Sequence, residues 1–285
     1  MKAKVILRKN DSATSFLLFI YNTYLIHNNK DTIKLSSLLK LMKAFGKSET
    51  ATRMSLSRTV KAGILINSND GSEVYYTLDT NGKVAINTWN KEMEQFWKRY
   101  TLRNKLWNKK WYLVNLEFGQ DYKENRTAVL EKLRQNGFGI LSTNTWISPY
   151  YRSDEIQAIL NEFNMNTRVV EMYGDMTIHE DIVAFVDKVF HLKKLEKSYE
   201  NFTKNFNEKL EEAKKLYREE WFVEGGHSLP LLYALGWEFL SIATEDATLP
   251  KTLYPAWAGD TAAQLMIEFR EILLEATIKY LRKFD

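Results

Sequence analysis

The chain has 285 residues, of which 45% are hydrophobic and 27% are charged, as in soluble globular proteins of two or three domains. It contains no cysteine, and this excludes disulfide bonds, thiolate catalysis and thiolate zinc sites. No apolar run approaches the roughly 20 residues that cross a bilayer, and the first residues lack a signal-peptide pattern. We therefore expect a cytoplasmic protein with no membrane partner.

The net charge of +4 is divided unevenly along the chain. Residues 1–110 contain 20 Lys and Arg against 8 Asp and Glu, a net charge of +12. Residues 111–285 contain 20 against 28, a net charge of −8. This division favours a basic module that binds a polyanion, attached to a more acidic body, over the alternative of two merely solvated surfaces.

The first predicted helix covers residues 11–29, and Ser12 is placed to act as its N-cap. Apolar and aromatic side chains recur along it at helical spacing, at Phe16, Leu17, Ile20, Tyr21 and Tyr24. We therefore expect this helix to face the core. A short strand over residues 32–35 follows it.

Two helices joined by a tight turn come next. We expect Ser36 or Ser37 to cap the first of them and Gly46 to end it. Ser48 is the expected cap of the second, and Gly63 suits the left-handed position just past its end. Two capped helices around a turn that contains glycine are typical of a helix-turn-helix.

A hairpin is predicted directly after these helices. The β-prone runs over residues 64–66 and 74–78 flank a turn signal at Asp70-Gly71. In this position the hairpin would be the wing of a winged helix-turn-helix. We expect Gly82 to interrupt the chain before a connector helix over residues 85–100.

The middle of the chain has a different pattern of predicted elements. Strand, helix, strand, strand, helix and strand are predicted in that order over residues 111–116, 125–136, 138–141, 146–147, 154–163 and 169–173. This order is that of a ferredoxin-like domain. The remainder is mainly helical, with a closing helix over residues 261–283.

The sequence thus predicts an α+β protein of several domains. The expected boundaries are 1–84 for a winged helix DNA-binding domain, 85–110 for a connector helix and linker, 111–180 for a ferredoxin-like domain and 181–285 for a mainly helical carboxyl-terminal domain.

The helix that begins after Ser48 is the candidate DNA-reading element. We expect Ala51, Met54 and Val60 to face the core. The predicted DNA-contacting residues are Lys47, Ser48, Thr50, Thr52, Arg53, Ser57, Arg58 and Lys61. Arginine can fork onto guanine edges, hydroxyl side chains reach bases or phosphates, and lysine contacts phosphate as a point charge. Phosphate contacts are also expected from nearby lysines, namely Lys34, Lys40 and Lys43. A basic but merely solvated helix face is the alternative.

Enzyme signals are weak, so we predict no catalytic residue, no cofactor and no metal. The four histidines are scattered without the spacing of zinc ligands, and the chain has no phosphate-binding loop. One alternative is a metal-dependent nuclease that uses the ferredoxin-like domain, with Glu117 at the end of its first strand as a ligand. A second alternative is an architectural protein that binds DNA without sequence preference.

Three separated stretches resemble the PaaX family of ligand-responsive repressors, and together they extend across nearly the whole chain. Arg53, Arg58 and Gly63 match the family's two arginines in the third helix and its glycine before the wing. GSEVYYTL resembles the family's wing, and WNKKWYLV, NGFGIL and TWISP resemble its middle segment. The stretch LPKTLYPAWAGDTAA resembles a family series, here Leu249, Pro250, Leu253, Pro255, Trp257 and Gly259.

The charge division and the helix-turn-helix together favour a homodimeric repressor that reads operator half-sites about 34 Å apart. The resemblance implies a repressor as well. It also implies release from DNA by a small-molecule effector, which in the best-known relatives is an aryl-CoA thioester, and a middle domain similar in fold to the small CRISPR adaptation endonuclease. Some positions depart from the family pattern. Ser72 and Glu73 stand where the wing usually has arginine, Ala247 stands in place of a proline, and Ile64 stands in place of a tryptophan.

Overall fold

The computed structural model describes residues 12–118, 123–164, 168–217, 219 and 226–284. The chain divides into two compact units, each built from stretches that lie far apart in the sequence. Unit 1 consists of Met1–Lys91, Lys204–Phe239 and Ala263–Asp285, and unit 2 consists of Glu92–Thr203 and Leu240–Ala262.

The first third of the chain forms four helices and a small antiparallel sheet. In chain order the elements are α1 (Ala13–Asn28), β1 (Thr32–Lys34), α2 (Leu35–Ala44), α3 (Glu49–Lys61), β2 (Leu65–Asp70), β3 (Glu73–Leu78) and α4 (Thr80–Leu102). The sheet order is β1-β3-β2, and a two-residue turn at Gly71 and Ser72 joins β2 to β3. The predicted hairpin and the predicted short strand are therefore confirmed.

Helix α1 lies in the core of unit 1. Ser12 caps it, because its hydroxyl accepts a hydrogen bond from the Ser15 amide at 3.3 Å. The six consecutive residues from Phe16 to Tyr21 are all buried, as expected of a helix surrounded by other elements. Tyr21 donates its hydroxyl to the backbone oxygen of Tyr76 on β3 at 2.7 Å, which joins the helix to the sheet. The predicted cap and the predicted core position are confirmed.

The predicted cap of α2 is wrong. This helix begins at Leu35, one residue before the first predicted cap, and its N-terminal flank makes no side-chain capping bond. Ser37 is buried inside the helix, and its hydroxyl donates to the backbone oxygen of Phe284 at 3.5 Å. The local pattern predicted that the Ser37 hydroxyl caps α2, but this hydroxyl makes a long-range hydrogen bond instead.

The predicted break at Gly82 is also wrong. Gly82 lies inside α4, where an added Cβ would come within 2.5 Å of the backbone oxygen of Ile64 and 2.7 Å of the Leu78 side chain. The glycine therefore permits close packing of α4 against the strands, at a cost in intrinsic helix propensity. A sequence pattern alone does not distinguish this role from a break.

The middle of the chain forms a four-stranded antiparallel sheet with two helices. In chain order these are β4 (Trp111–Glu117), α5 (Lys123–Gln135), β5 (Gly139–Ile140), β6 (Thr145–Ser148), α6 (Ser153–Glu162) and β7 (Arg168–Gly174). The strand order is β5-β6-β4-β7, and the predicted sequence of strands and helices is confirmed. Alternate residues of β4 enter the core of unit 2 at Tyr112, Val114 and Leu116.

The last hundred residues are helical wherever the structure describes regular elements. They form α7 (Ile182–Phe190), α8 (Leu192–Leu216), α9 (Ser228–Ala243) and α10 (Ala258–Leu281), followed by a short 3-10 turn over Arg282–Phe284. The predicted closing helix is confirmed. Among the described residues, no helix is long and apolar enough to cross a membrane.

Candidate nucleic-acid interface

Helix α3 presents one continuous exposed face. Its exposed residues recur at helical spacing and are Glu49, Thr50, Ala51, Arg53, Met54, Ser57, Arg58 and Lys61. Within the described part of the chain, Arg53, Arg58 and Lys61 form no ion pair with an acidic side chain. Three cations without acidic partners on one side of a helix create a local positive potential, which attracts a polyanion.

The opposite face of α3 packs into unit 1. Its buried residues are Thr52, Ser55, Leu56 and Thr59. Thr52 is completely buried, and its hydroxyl donates to the backbone oxygen of Ser48 at 2.9 Å. The prediction that Thr52 lies on the exposed, DNA-contacting face is therefore wrong, because the residue is buried and its hydroxyl already has an acceptor inside the protein.

The predicted core positions of Ala51 and Met54 are wrong as well. Ala51 is exposed and Met54 is 52% exposed, while Val60 is half-buried. The buried face is built largely from small hydroxyl residues, and two of them donate to backbone oxygens one turn earlier: Thr52 to Ser48 at 2.9 Å and Thr59 to Leu56 at 2.8 Å. A search for apolar side chains at helical spacing misses a buried face of this composition.

The turn before α3 places two of the predicted contact residues at the start of the helix. Gly46 adopts a left-handed conformation with φ 70°, and Ser48 caps α3 by accepting from the Ala51 amide at 3.2 Å. Lys47 is half-buried, and its Nζ lies 5.1 Å from the centre of the Phe16 ring. A helix N-terminus with a neighbouring lysine is a favourable place for a phosphate group.

The tip of the β2–β3 hairpin is acidic. Asp70 and Glu73 are both exposed and stand opposite each other across the turn. Two carboxylates at this point repel phosphate, so the tip is a poor phosphate contact. Lys34, at the end of β1, is exposed and its Nζ lies 5.6 Å from the centre of the Tyr75 ring. Lys40 and Lys43 are exposed on α2.

Glu117, the residue considered as a nuclease ligand, ends β4. It is exposed, and the strand register pairs it with Arg168 of β7. Within the described part of the chain, no group of three His, Asp or Glu side chains is arranged to hold a metal ion.

A second concentration of charge lies buried in unit 2 and was not predicted. Arg103 is fully buried and forms a two-pronged ion pair with Asp260, with Nε to Oδ1 and Nη2 to Oδ2 both at 2.7 Å. Its Nη1 donates to the backbone oxygen of Leu249 at 2.6 Å, and its Nη2 donates to that of Tyr254 at 3.0 Å. One guanidinium thus holds together the segment from 249 to 260.

Asp246 anchors the same segment from another side. It is buried and accepts hydrogen bonds from the Tyr199 hydroxyl at 2.8 Å, from Trp257 Nε1 at 3.1 Å and from the Thr248 amide at 2.7 Å. Burial, together with this carboxylate, raises the pKa of Tyr199 well above its ordinary value. The stretch LPKTLYPAWAGDTAA therefore has a structural role, because its conformation is fixed by buried polar contacts.

Arg99 and Arg152 complete this charged cluster. Burial and, to a smaller extent, the nearby charge of Arg152 together lower the pKa of Arg99 to about 10. Arg99 therefore remains protonated at neutral pH. The Nε atoms of Arg99 and Arg152 have no hydrogen-bond partner among the described residues, while Arg152 Nη1 donates to Glu155 at 3.1 Å. Sequence reasoning missed these residues, because an isolated arginine carries no signal of its burial.

Comparison with known proteins extends over nearly the whole chain. Three family models match in succession: the PaaX-like protein over residues 12–82, the PaaX protein central Cas2-like domain over 104–183 and the PaaX-like protein C-terminal domain over 190–283. The chain is also 28% identical over 273 residues to the transcriptional repressor PaaX of Escherichia coli strain K12, a match that covers 94% of this chain and 83% of the relative.

A solved structure shares the fold. It is an uncharacterized protein, Rv0674, from Mycobacterium tuberculosis, with a TM-score of 0.57 and 19% sequence identity over 95% of this chain and 100% of the other. The family models together account for most of the chain, and they fall in the same order as the three stretches singled out in the sequence. The chain is therefore a member of the PaaX family.

Proposed function

We propose that this protein is a sequence-specific DNA-binding transcriptional regulator in which α2 and α3 form a helix-turn-helix and the β2–β3 hairpin forms its wing. The observation that carries this proposal is the exposed face of α3, where Arg53, Arg58 and Lys61 have no acidic partner among the described residues. The similarity to a transcriptional repressor of Escherichia coli supports the same function.

In this proposal α3 enters a major groove, and its side chains contact different parts of the DNA. Arg53 and Arg58 reach base edges or phosphates, and Thr50 and Ser57 supply short hydroxyl contacts. Lys47, Ser48 and Lys61 hold the phosphate backbone near the two ends of the helix. Thr52 is not part of this set because it is buried. The acidic tip of the hairpin contributes little to phosphate binding.

The other modules are assigned by analogy. The antiparallel strand order β5-β6-β4-β7 supports a ferredoxin-like fold for the segment 111–180, and one family model for this segment is called Cas2-like.

We propose that the protein acts as a homodimer on paired half-sites and that a small-molecule effector, such as an acyl- or aryl-CoA thioester, releases it from DNA. We further propose that it acts in the cytoplasm.

The proposal is tested by binding of the full chain to DNA from upstream of its own gene, measured by fluorescence anisotropy. Arg53→Ala and Arg58→Ala should each weaken binding about 5-fold to 150-fold, as expected for a lost base contact of ~1–3 kcal/mol. Arg134→Ala is the matched control, because Arg134 is exposed on α5, far along the chain from α3. If both α3 variants bind as tightly as the wild type, α3 does not read the DNA.

Specificity is tested with a second DNA. The affinity for a random duplex of the same length should be at least about 1,000-fold lower at physiological salt. The affinity for DNA should also fall steeply as the salt concentration increases, because binding of the protein releases counterions from the phosphates. Equal affinity for the two duplexes would instead identify an architectural DNA-binding protein.

A further inference from the structure

The exposed face of α3 has a centre and two flanks, and the buried face on the opposite side fixes where they lie. The buried residues are Thr52, Ser55, Leu56 and Thr59. Successive residues of an α-helix are rotated by about 100°, so the stripe that points away from the buried face passes through every third or fourth residue. This stripe consists of Thr50, Met54, Ser57 and Lys61, all of which are exposed. These side chains therefore point most directly away from the body of the protein.

The two arginines lie on the flanks of this stripe. Arg53 and Arg58 are each rotated by about 110° from the middle of the buried face, in opposite directions, whereas Met54 is rotated by about 150°. When a helix lies in a major groove, the side opposite the protein body faces the base edges, and the flanks face the two phosphate backbones. Met54 therefore occupies a position that faces the bases.

Met54 is an apolar residue at the centre of a basic face. Its side chain is 52% exposed, and Ala51, which lies one turn before it on the same face, is exposed as well. The two form a small apolar patch in the amino-terminal half of α3, the half of a recognition helix that contacts base edges. A single exposed apolar side chain is common on protein surfaces, but this one lies where a bound duplex would present its bases.

The major groove offers one apolar group to such a side chain. This group is the C5-methyl of thymine, whereas the other groups on the base edges are hydrogen-bond donors and acceptors. An apolar side chain gains free energy when it buries the methyl group, and it loses free energy when it covers a donor or an acceptor without a hydrogen bond. Methionine is unbranched and flexible, so it adapts its shape to the groove. Thymine is therefore the base that Met54 favours.

The charges around Met54 favour DNA as its partner over a second copy of this chain. Arg53, Arg58 and Lys61 share the exposed face with Met54, and Glu49 is the one acidic residue of α3. A symmetric contact between two copies of this face would bring these cations together, and their repulsion opposes it. The phosphates of a duplex instead neutralise the same cations while the bases meet Met54.

We propose that Met54 is a specificity-determining residue, and that its side chain, together with Ala51, contacts the C5-methyl group of a thymine in the operator. This inference rests on the proposed function, in which α3 reads a major groove. It adds the base that is selected there and the apolar contact by which it is selected. The arginines on the flanks hold the helix over that base.

The test replaces thymine by deoxyuridine, one position at a time, in the duplex from upstream of the gene. This replacement removes only the methyl group and keeps the base pair. Binding of the full chain is measured by fluorescence anisotropy. At one thymine at least, the wild type should bind the deoxyuridine duplex about threefold to fivefold more weakly, as expected for the loss of one buried methyl group.

Variants of Met54 identify the side chain that contacts this methyl group. Met54→Ala should bind the unmodified duplex about threefold to tenfold more weakly, and should no longer distinguish thymine from deoxyuridine at that position. Met54→Gln keeps the length and the helix propensity of the side chain and should lose the distinction as well. Met172→Ala is the matched control, because Met172 is 56% exposed on β7 in unit 2, and this variant should respond as the wild type does.

Two results would overturn the role of Met54: wild-type affinity that no deoxyuridine replacement lowers, or a Met54→Ala variant that keeps the full response. If Arg53→Ala and Arg58→Ala still weaken binding, the proposed function stands and only this contact fails. If the wild type does not bind the duplex at all, both fail. A change in the sedimentation velocity of Met54→Ala without DNA would identify a contact between copies instead, and this result also overturns the thymine contact.

Discussion

Arg103→Met tests whether the buried ion pair of unit 2 stabilises the fold. Arg103 is 1% exposed at its side chain and Asp260 is 26% exposed. The substitution removes both prongs of the pair and leaves two backbone oxygens, those of Leu249 and Tyr254, without their donor. Breaking a buried pair costs about 3–5 kcal/mol. Because Asp260 can recover some water, we expect the lower end of this range for Arg103→Met.

Asp260→Asn should lower the free energy of unfolding at least as much, because it leaves Arg103, the more deeply buried partner, without its ion pair. The free energy of unfolding is measured by urea denaturation followed by circular dichroism, with Arg134→Met as the exposed control. In the double variant Arg103→Met/Asp260→Asn, the losses should be well below additive, since neither charge is then left unpaired. Single losses below ~1 kcal/mol, or additive losses, would contradict this account.

The same pair predicts a pH dependence. Burial raises the pKa of Asp260, but the hydrogen bond and charge of Arg103 and the hydrogen bond from Tyr100 outweigh it, so the net pKa is lowered. A carboxyl group with a lowered folded-state pKa stabilises the protein above its unfolded pKa of about 3.9, and this contribution is lost as the pH falls through the folded value. The stability difference between wild type and Asp260→Asn should therefore be constant near neutrality and should shrink below about pH 4.

Two further predictions concern unit 1. Ser48→Ala removes the N-cap of α3 and should lower the free energy of unfolding by about 1 kcal/mol, whereas Ser57→Ala, on the exposed face, should not; urea denaturation distinguishes them. Gly82→Ala places a methyl group 2.5 Å from a backbone oxygen and should destabilise by about 1–3 kcal/mol. Gly236→Ala meets nothing within 4 Å in α9 and should stabilise by ~0.5–1 kcal/mol, so the opposite signs test the packing explanation.

Local sequence signals determined the elements that depend on neighbouring residues. Ser12 and Ser48 cap their helices, and Gly46 and Gly63 adopt positive φ where the helices end. The strand and helix order of the middle segment was also correct. These features could be predicted because a cap, a turn or a periodic pattern is set by residues within a few positions of each other.

The exposed basic face of α3 was predicted only in part, and the errors in that prediction have one cause. Arg53 and Arg58 were placed correctly because long charged side chains are rarely buried without partners. Thr52 was predicted to be exposed but is buried, and Met54 was predicted to be buried but is exposed. Their positions depend on the space left by α1 and α2, and a small hydroxyl residue with its own backbone acceptor fits that space better than methionine.

The sequence by itself therefore determined the family, the order of the elements and the basic helix with its two exposed arginines. Only the tertiary structure decided which residues meet across long separations. It buried Arg103 against Asp260 at a distance of 157 positions and packed the ring of Tyr233 against those of Phe16 and Phe45. Burial and pairing of this kind depend on the packing of remote segments, and no local pattern of residue types encodes that packing.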